Sequence, residues 1–117
     1  MSNNVQTISA YSLVNDVVPK LNAVETLVEN TLKQIIETST LPAQIERYTK
    51  LQVEFQLELT MIRMNLEHLL NRYHHELETV KNDPRQDLLL TLDIHESVTV
   101  DSAKQLYDRV QRLQQGH

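Results

Sequence analysis

Histidines and acids that could share one turn of helix are the residues of this chain best suited to chemistry. They come closest in the stretch LLNRYHHELETVKNDP, from Leu69 to Pro84. His74 and His75 are adjacent there, and Glu78 follows at a spacing that brings it beside either one on a helix. That makes two ligands, whereas a zinc site needs three or four. Adjacent residues diverge by about 100° on a helix, so the two imidazoles point apart. His68 and His75 share a face but stand two turns apart, about 10 Å along the axis. The segments HELET at His75 and HESVT at His95 begin like a zinc-protease helix but lack the second histidine four residues after the first. No histidine follows a glutamate by three residues, the spacing that di-iron bundles use. The expectation is therefore no metal, no cofactor, and two histidines on a helix surface.

Other chemistry fares no better. The single glycine is Gly116, so the chain cannot build a phosphate-cradling loop, a dinucleotide fingerprint or a nucleophile elbow, all of which need glycine where backbone turns sharply or approaches a ligand. Without cysteine there is no disulfide, thiolate metal site or sulfur nucleophile. Acids and hydroxyls are plentiful, but regular helical patterning gives no sign that they converge in a pocket. Tyr11, Tyr48, Tyr73 and Tyr107 are too scattered for a base-stacking platform and suit half-buried core positions. No catalytic residue and no small-molecule substrate are expected, and the chain reads as a non-enzyme.

A formal net charge of -5, spread along the chain without a basic arm or an acidic tail, argues against a nucleic-acid partner. The N-terminal residues from Met1 to Thr7 lack a basic region followed by a long apolar run, so no signal peptide is expected. No window approaches the roughly 18 apolar residues of a membrane span. These features lead us to expect a soluble, intracellular protein of the cytoplasm.

The elements follow from periodicity and punctuation. Good helix formers dominate, and only three prolines interrupt them. The fold class expected is all-α: an elongated helical bundle built on a long antiparallel hairpin plus a C-terminal helix, forming one domain over residues 1–117. The first helix, about 12–38, carries Val14, Val17, Leu21, Val24, Val28, Leu32 and Ile35 at a spacing close to a heptad. Pro19 either kinks it or marks its first turn. Residues before Ser9 are expected to fray. Ser39-Thr40-Leu41-Pro42 ends this helix and starts the next, with Thr40 or Leu41 as the N-cap and Thr40 having the better chemistry. The second helix, about 42–81, would be roughly 58 Å long. Asp83 and Pro84 read as an N-cap and a first helical position. The segment 84–95 fits either period; a short helix is favoured because a strand there has no visible partner. A last helix is expected over about 101–115.

The long helix has two apolar stripes. The larger holds Tyr48, Leu51, Phe55, Leu59, Ile62, Leu66, Leu69, Tyr73, Leu77 and Val80, and faces the first helix. Nearly opposite lie Val53, Leu57, Met61 and Met64, extended on the same face by His68 and His75. Either the C-terminal helix folds back over this second stripe or another chain covers it. These six residues are the candidate partner-binding site, with Val98 and Val100 as further docking points. The function expected is a non-enzymatic interaction protein, a small structural or adaptor subunit held by coiled-coil-like contacts to a protein partner or to itself. The alternative is a cytosolic chaperone that shields an aggregation-prone helical client such as a secretion substrate.

Overall fold

Helix starts, stops and one proline set the path of the chain. The computed structural model describes residues 6–115. A strand β1 (Gln6–Ser9) leads into a helical run over residues 10–38, α1. The Ser9 hydroxyl accepts the Ser12 N–H at 3.0 Å and caps the run. Residues 6–8, expected to fray, are part of this strand, and the rest of that expectation falls on residues outside those described.

In α1 the buried residues are Ala10, Leu13, Val17, Leu21, Val24, Val28 and Leu32. Their intervals repeat as three, four, four, which is an eleven-residue period rather than a heptad. Leu13 is fully buried, whereas the expected Val14 and Ile35 are half-buried. The helix passes through Pro19 without ending. Proline has no N–H and crowds the carbonyl one turn back. The turn before it, Leu13–Val17, opens to π geometry, and the Val18 N–H reaches the Leu13 carbonyl five residues away. A second wide turn lies at Val28–Leu32.

The chain leaves α1 at Ser39 and enters α2 (Pro42–Arg72) with proline in the first turn. The N-cap is Leu41, not Thr40; its extended backbone meets no side-chain cap, while Ser39 Oγ accepts the Leu41 N–H at 3.4 Å. The helix expected to run unbroken to Lys81 is interrupted at Tyr73, where φ is -109° and ψ is 26°. Tyr73 is held from outside, its hydroxyl donating to the Thr91 carbonyl at 2.6 Å. A second helix, α3 (His74–Asn82), follows.

The connector departs from the helix expected over 84–95. Asp83 caps a single 3-10 turn, Pro84–Gln86, and strand β2 (Leu89–Leu92) follows. Its partner is β1, antiparallel, with Ile8 opposite Leu90 and Thr7 opposite Thr91. Alternation does the rest: Ile8, Leu90 and Leu92 are buried while Leu89 and Thr91 face out. The last helix, α4 (Ile94–Gln115), begins at Ile94 rather than Asp101 because Asp93-Ile94-His95-Glu96 is a capping box. Asp93 Oδ1 accepts the Glu96 N–H at 2.8 Å, and Glu96 Oε1 accepts the Asp93 N–H at 2.9 Å.

The helices make an antiparallel bundle. Arg63 of α2 meets Glu25 of α1 at 2.6 Å, and Arg109 of α4 meets Glu58 at 3.0 Å. Farther along α2, Arg72 binds Glu96 near the start of α4, so α4 runs opposite to α2. The core lies between them, with Phe55, Leu59, Ile62, Leu66 and Leu69 of α2 against the buried rows of α1 and α4. The molecule measures 52 × 36 × 22 Å with a radius of gyration of 16.9 Å. A compact chain of this length would have about 13 Å, so the bundle is elongated.

Candidate interaction surface

Helix α2 buries one face and presents the other. α1 and α4 both pack on the side that carries Phe55, Leu59 and Leu66. The C-terminal helix folds back as one of the two sequence readings had it, but onto this main stripe. The second stripe is left facing out: Val53 is 50% exposed, Leu57 64%, Met61 65% and Met64 59%. At intervals of three and four residues these side chains form one continuous row about 17 Å long.

The row does not stop at the edge of α2. Met61 lines a shallow groove together with Glu58, Ile62 and Asn65 of α2 and Val98, Thr99 and Ser102 of α4. Val98 is 59% exposed and thus adds to the same apolar surface from the facing helix. Val100, named with it as a docking point, is only 5% exposed and belongs to the core, because two residues along a helix is a half-turn. Ile94, one turn before Val98, is exposed as well. Placing α4's start at Asp101 hid it; the capping box at Asp93 is the signal that would have put Ile94 and Val98 on a helix.

The two histidines of the candidate site fare differently. His68 is exposed one turn beyond Met64 on α2. His75 is also exposed but lies on α3, beyond the break at Tyr73, so the wheel that carried the stripe to it does not run through. His74 lines a separate groove with Val14, Val18, Leu70 and Glu78. Among the described residues, no three His, Asp or Glu side chains come together as metal ligands would. None of the described helices is long and apolar enough to cross a membrane.

Charges around the row are unevenly used. Lys50 pairs with Glu46 at 3.2 Å, Arg109 with Glu58, and Arg72 with Glu96. The hydrogen bond to the Glu96 carboxylate raises the Arg72 guanidinium above its ordinary value. Glu54 and Glu67 flank the row on α2, and Asp101 follows Val98 on α4; among the described residues none of these three has an ion-pair partner. The row is apolar, and its margins carry charges of both signs, Arg47 and Lys50 beside Glu54 among them. No family model, curated protein or solved structure matches the chain.

Proposed function

We propose that this chain is a non-enzymatic helical interaction protein, a small structural or adaptor subunit that lends the outer face of α2 to a larger assembly. The observation that carries the reading is the uncovered row Val53, Leu57, Met61 and Met64, which continues to Val98 across a groove. Scattered apolar residues on a surface are ordinary, but a contiguous row is not. Full burial of such a side chain is worth about 1.5–3 kcal/mol, so covering the exposed parts of four would supply on the order of 4–7 kcal/mol before ordering costs. Helix-in-groove docking uses this spacing of anchors. A chain without cysteine suits such work in the reducing cytoplasm.

The two methionines in the C-terminal half of the row favour one second reading, a chaperone for an aggregation-prone helical client. Their flexible thioethers adapt to irregular or varied partners. The two readings share a surface and differ in how long the partner stays.

A photo-crosslinking amino acid placed at Met61, and as a control at the exposed Glu29 of α1, tests the reading in cells that make the protein. A discrete protein adduct at Met61 and none at Glu29 is the expected result. If the adduct partner also co-purifies without crosslinking, the subunit reading is favoured; an adduct seen only under light favours the chaperone. Absence of any adduct, together with a monodisperse monomer that binds no hydrophobic dye, would sink both.

A further inference from the structure

We propose that the connector and the start of α4 latch a joint in the long helix, and that releasing the latch fuses α2 and α3 into one helix over residues 42–82. The inference is independent of what the outer face of α2 binds. It starts from a break with no local cause. Sharp turns of a helix axis come from proline, from glycine, from a π turn or from a group inserted into the hydrogen-bond ladder. Residues 69–77 hold neither proline nor glycine. The helical bonds on either side of Tyr73 stay in register: its N–H donates to the Leu69 carbonyl at 3.2 Å, and its carbonyl accepts the Leu77 N–H at 2.9 Å. Only Tyr73 itself, with φ of -109° and ψ of 26°, leaves the helical values of about -63° and -42°.

What grips the joint lies far along the chain. The Tyr73 hydroxyl donates to the Thr91 carbonyl at 2.6 Å. Arg72 pairs with Glu96, lies 4.0 Å from Asp93, and sets its guanidinium over the Tyr73 ring at 4.8 Å. A single neutral hydrogen bond and an ion pair half in water are weak holds. The apolar stripe is the same with or without the break. Leu69, Tyr73, Leu77 and Val80 share one side of a continuous helix, so the buried Leu77 and Val80 stay on the core side after release. Two things change. An unbroken helix over 42–82 is about 60 Å long, whereas the whole molecule now measures 52 Å along its longest axis. His75 also comes into line beyond Met64 and His68, which lengthens the outer face of the helix by two turns.

The absence of cysteine lets two spin labels be placed without background, at Thr60→Cys on α2 and Glu78→Cys on α3. Both sites are exposed. On a continuous helix they fall on one line, with backbones about 27 Å apart. Double electron–electron resonance on the full chain is expected to give a shorter main distance. Tyr73→Phe, which removes one hydroxyl, should add a component at the straight-helix distance. Tyr73→Phe with Arg72→Gln should make that component the main one, and the unlabelled double variant should lengthen in small-angle scattering. Leu106→Ala empties a core site of α4 without touching the joint, and should leave the distance at the parent value.

An unchanged distance in the double variant overturns the inference, because the break would then be set locally. So does a long component that Leu106→Ala produces as well, which would be a loosened bundle rather than an opened latch. A broad spread of distances would mean that α3 frays instead of joining α2. A double variant that no longer melts cooperatively would mean that these contacts serve the fold alone. Either result rules the latch out.

Discussion

Asp83 closes α3 and opens the connector. Its carboxyl pKa is lowered from the ordinary value, chiefly because the Arg85 side chain donates to it, and further because the Arg85 N–H and the Gln86 amide do so too. A carboxylate depressed in the folded state binds its proton less readily there than in the unfolded chain. Its contribution to stability is complete above the unfolded value and is lost as the pH falls through the folded one. The contribution is small, because Arg85 is almost wholly in water and the pair is screened. Asp83→Asn keeps a capping oxygen and removes only the charge. In denaturant melts the two proteins should differ by a constant amount around neutral pH and converge below the carboxylate range. A gap that persists unchanged into acid would show that the ion pair does not act as described.

Single elements explain where the sequence was readable and where it was not. The capping box at Asp93 fixes the start of α4, and Asp93→Ala should destabilise the protein by about 1 kcal/mol in equilibrium unfolding. Amides of the first α4 turn should exchange faster while those around Leu106 stay protected. A variant as stable as the parent would mean that packing, not the cap, sets this boundary. Spacing alone located the hairpin, because residues such as Phe55, Leu59, Ile62 and Leu66 repeat at short range on one helix. The connector was harder. Leu88, Leu90, Leu92 and Ile94 alternate as a strand does, but the strand that pairs with Leu89–Leu92, Gln6–Ser9, lies at the other end of the chain and has one buried apolar residue, Ile8. Pairings so far apart leave no periodic mark. The break at Tyr73 leaves no mark in the sequence for a similar reason, since its anchor is a carbonyl on that same distant ribbon. The candidate row was legible as a row. Its being left uncovered was not, because that depends on which stripe of α2 the returning helix α4 chooses.

At the scale of the whole molecule, α2 buries one face and leaves the opposite one exposed. Three helices can enclose one stripe of α2 between them, but closing both would take another helix on the far side. The stability of the chain should therefore depend on one face alone. Leu66→Ala, which empties a core site shared by the helices, is expected to cost about 2–5 kcal/mol. The outer changes Val53→Ser, Leu57→Gln, Met61→Gln and Met64→Gln should each move stability by no more than about 0.5 kcal/mol, although each removes a large apolar side chain. Combined, they should leave the melting transition near that of the parent while abolishing hydrophobic-dye binding, and the three changes at Val53, Leu57 and Met64 should abolish the adduct formed by a crosslinker at position 61. Neighbours three and four apart in the row lie side by side, so the single changes can couple and the combined variant has to be measured directly. If the four outer substitutions together cost as much as the one core truncation, the row would be serving the fold itself. The division of α2 into a folding face and a contact face would then have to be given up.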